Sequence, residues 1–473
     1  MTTYKDSTLE EIDRAANAAE EASDAFRGLS GAKVAELLNG MADAIMDLGD
    51  ALLETASRES SLPIPRLTGE RLRTCNQLRM FGDIARAGTF KRSSIDTAIP
   101  DRKPLPKPDL RRTALPIGPV AVWAASNFPL AYSVAGGDTA SALAAQCPVV
   151  LKTNPAHPET SAMTAGALRK AIAALALPAG IFGTVDGKSP EVSVALARHP
   201  AIKAGAFTGS LRGGRALFDA ACSRPDPIPF FAEMGSVNPV FLLPGALAER
   251  GEAIAEGLTQ SVNLGVGQFC TCPGLVIASQ AGTFAEQLRK RFSGASAGTM
   301  LTSYIAANFR SGAQKLGALP GVTATVGAAA GGESQVQPQL FETQSSNFFA
   351  HEEFLHEVFG PATVLVHCGA AAELERVAQH LDGSLTATIH GTPDDLRANR
   401  GLLRILERKV GRIIFNGYPT GLEVCPSTQH GGPYPATTDP RFTSVGSAAI
   451  DRFLRYICYQ DFPVEFLPQE LQS

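Results

Sequence analysis

The residues best suited to covalent chemistry stand in one short stretch, Gly265-Val-Gly-Gln-Phe-Cys270-Thr-Cys-Pro-Gly274. Its two leading glycines permit backbone geometry closed to other residues and let a ligand come close. Cys270 comes just before the turn expected at Pro273-Gly274, where a thiolate, a strong nucleophile, would be presented at the floor of a cleft. The competing reading is a buried structural cysteine, the commoner fate of a free thiol. Cys272 lies two positions beyond Cys270, with no second Cys or His pair at zinc spacing. His351 and His356 are five apart, not the four of a helical zinc pair. No metal is expected.

Three further positions could serve such a nucleophile. Glu233, in Phe230-Phe-Ala-Glu233-Met-Gly, is flanked by apolar residues. An isolated acid is usually solvated surface, but partial burial here would raise its carboxyl toward the range of a general base. Asn127 and Lys152 each follow a short apolar run. A GxxxxG element from Gly209 to Gly214, between an expected strand and a helix beginning near Arg215, would let a pyrophosphate approach backbone N–H groups. It does not match G-x-G-x-x-G, and a glycine-rich turn without a ligand fits these residues equally well.

The elements that must position these residues follow from periodicity. Residues from Ser7 to about Ser60 read as helical, with Glu10 and Glu11 just after Thr8 and Leu37, Leu38, Met41, Ile45 and Leu48 on one face. A second helix is expected over Thr68 to Ala87. Pro100 to Pro108 holds four prolines and reads as a crossover or extended arm. Strands are expected in the second half of Leu115 to Trp123, and over 147–152, 182–185 and 201–207. Helices are expected over 133–145, 159–175 and 192–198. That alternation implies a parallel sheet with right-handed crossovers and a crevice at the carboxyl ends of its strands, where Asn127, Lys152 and Gly209 fall. Helices and strands alternate again to about residue 415. Gly417 to Pro440 reads as an active-site or inter-domain loop, and Arg452 to Tyr459 as a terminal strand of the kind that pairs with another chain.

With 473 residues, two or three domains are expected. A hydrophobic fraction of 44% with 19% charged residues fits a globular protein, and a net charge of −4 leaves no basic footprint for nucleic acid. Eight cysteines without a dense framework argue for a reducing compartment. The polar first twenty residues lack a signal-peptide core, and apolar runs are too short to span a membrane. The expectation is a cytoplasmic protein.

Taken together, these stretches resemble the aldehyde dehydrogenase superfamily from about residue 110 to 465. Asn127-Phe-Pro resembles its W-N-F-P motif, with Ser126 in place of the tryptophan, and Leu151-Lys152 its L-K-P. Phe207-Thr-Gly-Ser210 resembles F-T-G-S, and Glu233-Met-Gly resembles E-L-G-G. Gly267-Gln-Phe-Cys270 resembles G-Q-x-C, and Glu357-Val-Phe-Gly-Pro resembles E-x-F-G-P. Within the superfamily the chain is most similar to α-ketoglutarate semialdehyde dehydrogenases. This is carried by Ser133-Val-Ala-Gly-Gly-Asp-Thr-Ala-Ser-Ala-Leu, Glu233 to Pro239, the loop from Gly417 with His430-Gly-Gly-Pro-Tyr-Pro, and Arg452-Phe-Leu-Arg. The same signature resembles a bacterial NADP-linked fatty aldehyde dehydrogenase.

The resemblance implies an α/β fold with a Rossmann-type cofactor domain (1–97 and 117–233), an α/β catalytic domain (234–449) and a small oligomerisation arm (98–116 and 450–473). It implies Cys270 as nucleophile, with Asn127 and the Cys270 N–H stabilising the oxyanion. Hydride would leave for the nicotinamide, and Glu233 would activate water against the thioester. Lys152 and Glu357 would hold the cofactor riboses, Phe359 would pack by the nicotinamide, and Gly209, Ser210 and Gly214 would line the cofactor site. Phe128, Tyr132 and Phe269 are the candidate substrate pocket. Cys272 is expected to be a bystander. The cofactor expected is NADP, with NAD usable, because Pro155 stands where many NAD-preferring relatives carry a glutamate. Lys152, Thr153, Arg212 and His157 are candidate donors to a 2′-phosphate. A homodimer or homotetramer acting on a small aldehyde is expected. The rival readings are a non-catalytic protein of the same fold and a relative passing its acyl group to phosphate or coenzyme A.

Overall fold

Consecutive residues of a strand face opposite ways, so a strand buried on both sides needs an unbroken apolar run. Val120-Ala-Val-Trp123 is such a run. Val120 and Val122 enter one core, and Ala121 and Trp123 another. In the computed structural model, which describes residues 4–279 and 281–472, this strand is the middle of a five-stranded parallel sheet. The order across the sheet is Phe182–Val185, Val149–Lys152, Val120–Trp123, Ala204–Thr208 and Phe230–Glu233. Helices Gly137–Ala144 and Pro158–Ala174 cover one face together with Gly31–Met46 and Ile64–Ala87, while Pro190–Arg198 and Leu211–Cys222 cover the other. The chain reverses direction across the sheet at the central strand, which opens a crevice at the carboxyl ends.

A second sheet of seven strands runs in the order Thr323–Val326, Gln339–Gln344, Ala362–Cys368, Leu275–Ser279, Pro239–Leu242, Ser384–His390, Val410–Phe415. All are parallel except the first. Here too alternation divides the strands between two cores, with Phe241 and Ile277 on one side and Val240 and Val276 on the other. A third, antiparallel sheet joins Ser94–Asp96, Leu110–Pro116 and Leu454–Gln460. No helix of the described residues is long and apolar enough to cross a membrane.

Several elements differ from expectation for local reasons. The first helical stretch is three helices, Leu9–Arg27, Gly31–Met46 and Gly49–Ser60. The first opens with a reciprocal capping box between Thr8 and Glu11. The next helix starts at Ile64 rather than Thr68, because Pro65 sits in its first turn, where a missing N–H costs nothing. The helix expected over 133–145 is confined to Gly137–Ala144, and residues 130–136 form a turn held by Glu70. Leu110–Pro116 is a strand that was not expected. Helix Leu211–Cys222 begins four residues before Arg215, so Gly213 and Gly214 lie inside its first turn rather than in the loop ahead of it.

Candidate active site

Cys270 follows a loop with unusual backbone geometry. Gly265, Val266 and Gly267 all take left-handed φ values, of 56°, 58° and 65°. For a β-branched residue such as Val266 this is a strained conformation, held only because the surroundings over-determine it. Gly267 is needed for contact as well, since a Cβ there would lie 2.2 Å from the backbone of Gly360 in the Glu357–Pro361 loop. Asn238, buried and itself left-handed, clamps the nucleophile from below. Its Nδ2 donates to the carbonyls of Cys270 and Cys272 at 2.8 and 3.0 Å, and its Oδ1 accepts from Ser236 and Thr386.

The thiol faces two buried partners. Cys270 Sγ is 3.4 Å from His430 Nε2, and the same nitrogen is 3.1 Å from Glu233 Oε2. Glu233 also accepts from the Ser444 hydroxyl at 2.9 Å, while Glu233 Oε1 and His430 Nδ1 have no protein partner. Thiol, imidazole and carboxylate thus form one hydrogen-bonded cluster, in which a base stands within reach of the thiol proton. Burial, and then the Glu233 charge, hold the uncharged thiol's pKa well above its ordinary value. Glu233 departs from expectation. Burial pushes its carboxyl up, but the His430 charge together with hydrogen bonds from His430, Ser444 and Cys270 outweigh it, and the net shift is downward. The burial was anticipated and the compensating partners were not. Glu357 shows the rise instead: burial, with the Glu233 charge adding to it, pushes its carboxyl up to about 8 against the Ser236 N–H.

Asn127 is 9% exposed and donates from Nδ2 to the Gln268 carbonyl at 3.1 Å, which leaves its second hydrogen free. The Cys270 N–H has no acceptor among the described residues. Both groups are thus free to donate to an oxyanion. Phe128 sits edge-on to both Tyr132 and Phe269, with centroids 5.0 and 5.5 Å apart, so the three expected pocket residues form one cluster beside the thiol. Cys272 is buried against the Val262 and Gly360 carbonyls, and burial raises its thiol strongly.

The crevice of the first sheet has the chemistry of a dinucleotide site. Lys152 is 8% exposed, and its amine has no hydrogen-bond partner among the described residues. Burial lowers its pKa to about 8 against the charges of Asp6 and Asp186. An enclosed, unpartnered amine at a strand's carboxyl end fits ribose hydroxyls. Ser210 caps helix Leu211–Cys222 through the Gly213 N–H at 3.2 Å. Gly209 donates to the Glu233 carbonyl, and Gly214 leaves room for Met234, whose Sδ would be 2.6 Å from a Cβ there. Packing thus accounts for Gly214. Phe359 lies half-buried in the Glu357 loop, lining a cavity with Phe269 and Gly267. His157 is not available to a phosphate: it is fully buried, with its ring nitrogens on the Ala125 carbonyl and the Ser161 hydroxyl. The Thr153 hydroxyl is engaged by Asp186 and Tyr4.

Sequence reasoning gave no role to His430, Asn238, Arg66 or Arg73. His430 stood among the residues of the family likeness without a function attached. Arg66 and Arg73 share one face of their helix with Glu70 and Gln77, a polar stripe in an otherwise core-facing element.

A doubly wound domain and a second α/β domain, with a half-buried cysteine and a buried acid and amide gathered at one site, are the setting of a covalent catalyst beside a dinucleotide crevice. The chain belongs to the aldehyde dehydrogenase family, whose model matches residues 1–433. It is 50% identical over 471 residues to alpha-ketoglutaric semialdehyde dehydrogenase 2 of Azospirillum brasilense, covering 98% of this chain and 89% of that one. It is 43% identical over 475 residues to alpha-ketoglutaric semialdehyde dehydrogenase of Acinetobacter baylyi, covering 99% and 90%. Among solved structures, an aldehyde dehydrogenase from Bacillus cereus in complex with NAD+ superposes with a TM-score of 0.80 at 22% identity, covering 96% of this chain and 89% of that one. An NADP-dependent enzyme of E. coli superposes at 0.78 and 22% identity, covering 96% and 90%. The protein is an enzyme that oxidises an aldehyde to a carboxylate with a nicotinamide cofactor.

Proposed function

We propose that the substrate is α-ketoglutarate semialdehyde, that the product is α-ketoglutarate, and that the reaction runs through a thioester on Cys270. The observation that carries the mechanism is the convergence of the Cys270 thiol and the Glu233 carboxylate on one nitrogen of His430. The substrate is supported by the full-length likeness to the two semialdehyde dehydrogenases. The His430–Glu233 pair takes the thiol proton, the thiolate adds to the aldehyde carbon, and the Asn127 amide and Cys270 N–H receive the oxyanion. Losing one such donor costs roughly 3 kcal/mol of transition-state stabilisation. A bound nicotinamide dinucleotide supplies the hydride acceptor. Glu233, kept ionised by its partners, then removes a proton from the water that hydrolyses the thioester.

Lys152 and Glu357 are the groups for the two riboses, Ser210 and the adjoining helix N-terminus for the pyrophosphate, and Phe359 for the nicotinamide face. Both dinucleotides are accepted, NADP with preference. Pro155 puts no carboxylate against a 2′-phosphate, and Arg212 is exposed on the helix after Ser210. Asp186 opposes that preference through its charge near Lys152. Eight free cysteines and a nucleophile that must stay reduced support a cytoplasmic location.

A spectrophotometric screen of α-ketoglutarate semialdehyde and other aldehydes, run with NAD and NADP separately, tests the reading. The semialdehyde should give the highest kcat/KM, and Cys270→Ser should abolish turnover while cofactor binding persists. A long-chain fatty aldehyde turned over more efficiently than the semialdehyde would overturn the substrate assignment.

A further inference from the structure

The space in front of Cys270 is walled by aromatic rings and by cations. Helix Ile64–Ala87 presents Arg66, Glu70, Arg73 and Gln77 at steps of four, three and four, which places them on one face. The Arg66 guanidinium lies 5.0 Å from the Phe128 ring and 5.1 Å from the Phe269 ring. Its Nη2 donates to the Asn127 carbonyl at 2.9 Å, and its Nη1 is buried with no partner. The Arg73 guanidinium lies 5.9 Å from Phe128 and 5.3 Å from Tyr132. Its Nη2 donates to the Tyr132 hydroxyl at 2.9 Å, and its Nε is buried with no partner. A third cation comes from the catalytic sheet. Arg412 gives its Nη atoms to the Gly421 and Pro419 carbonyls and leaves Nε buried and unpaired. Burial lowers its pKa, and it lies within electrostatic reach of Cys270 and Tyr132.

The local carboxylate, whose charge acts on Arg66 and Arg73, meets neither of them directly. Glu70 Oε1 accepts the N–H groups of Leu130 and Ala131 at 2.8 and 3.0 Å, and Oε2 has no partner. None of the three arginines makes an ion pair with it among the described residues. Buried N–H groups of cations are rarely left unmade, and Arg66 and Arg73, both beside the Phe128 ring with such a group free, suit an anion.

We propose that Arg66 and Arg73, with Arg412 completing the wall, form a carboxylate-binding subsite for the end of the substrate remote from its aldehyde. Phe269 immediately precedes the nucleophile and carries Arg66 over its ring, so the guanidinium lies within a short chain's reach of the sulfur. A five-carbon semialdehyde spans roughly 5 Å from carbonyl carbon to carboxylate carbon, from four C–C bonds of about 1.5 Å. Its 2-oxo group adds an acceptor for the same donors. The subsite selects short aldehydes with a terminal carboxylate over neutral chains of equal length, and it rests on the substrate reading given above.

The test compares kcat/KM for α-ketoglutarate semialdehyde and for pentanal, which has the same carbon count and no charge. The native enzyme should favour the semialdehyde at least a hundredfold. In Arg66→Met and Arg73→Met that preference should fall by tenfold or more, chiefly through KM for the semialdehyde, since each removes a charge-assisted bond to a buried anion. Arg73→Lys, which keeps the charge and disturbs packing least, should retain part of the preference even if the methionine variants fold poorly. Equal losses on both aldehydes in all three variants would make the arginines structural and overturn the subsite. A native enzyme with no preference for the semialdehyde over pentanal would instead sink the substrate reading, and the two failures are told apart by the native ratio alone.

Discussion

One imidazole nitrogen, Nε2 of His430, faces a thiol and a carboxylate at once, 3.4 and 3.1 Å away. In a Cys–His–acid triad of the usual kind the acid holds the other ring nitrogen and so fixes the tautomer. Here Nδ1 is unpartnered, and thiol and carboxylate meet at the same nitrogen. Burial and the Glu233 charge both oppose ionisation of Cys270. His430→Gln keeps a polar side chain but cannot carry the charge. It should lower kcat/KM on the order of a hundredfold at neutral pH, as loss of a positioned proton acceptor does. It should also move the ionisation that limits kcat/KM to higher pH, because the thiol must then lose its proton to solvent beside an acid. A pH profile of the variant that keeps the native midpoint would show that His430 does not handle the thiol proton.

Among the elements, the nucleophile loop is held by contacts from three directions. Gly267 touches Gly360, Asn238 bonds the carbonyls on either side of Thr271, and the left-handed Val266 stores strain between two glycines. Asn238→Ala strands buried carbonyls and a buried hydroxyl, so stability should drop by about 2–4 kcal/mol. Turnover should fall with it, as the Cys270 N–H loses its aim. Denaturant unfolding beside steady-state kinetics checks this; a variant with native stability and native kcat would show that the clamp is idle. How far the elements could be read beforehand follows the same division between local and distant causes. The buried strands were legible because their side-chain alternation is local, and Asn127, Lys152 and Cys270 were placed by the turns and strand ends beside them. The early start of helix Leu211–Cys222 escaped because its cap, Ser210, lay inside what read as a glycine loop. His430, 160 residues from Cys270, had no local signature, and neither did the partners that lower Glu233. Arg66 and Arg73 carried no local signal, because the rings of Phe128, Tyr132 and Phe269 that they meet are distant in sequence.

For the whole molecule, assembly turns on the small antiparallel sheet. Strand Leu454–Gln460 pairs with Leu110–Pro116 on one side and has no partner on the other among the described residues. A free edge of seven residues is a template for pairing with another chain unless it is blunted, and this one carries neither a proline nor a lysine. Apolar side chains are exposed on it and just beyond it: Tyr456 at 48%, Phe462 at 44%, Val464 at 40% and Phe466 at 72%. Such a concentration on one projecting sheet is unlike the scattered apolar residues of an ordinary surface, and a self-complementary contact through this face would close on itself as a two-fold pair. The protein is therefore expected to be a homo-oligomer in solution. Light scattering at micromolar concentration should give a mass of at least twice 49.6 kDa. Tyr456→Asp combined with Phe466→Asp should shift it toward the monomer, because burying two carboxylates in an apolar interface is strongly unfavourable. Neither side chain is among those that meet Cys270, Glu233 or His430, so the monomer should still form its nucleophile site, read as stoichiometric labelling of Cys270 by a thiol reagent. A native protein that scatters as a single chain would remove the arm's assigned role and leave the exposed edge without a partner.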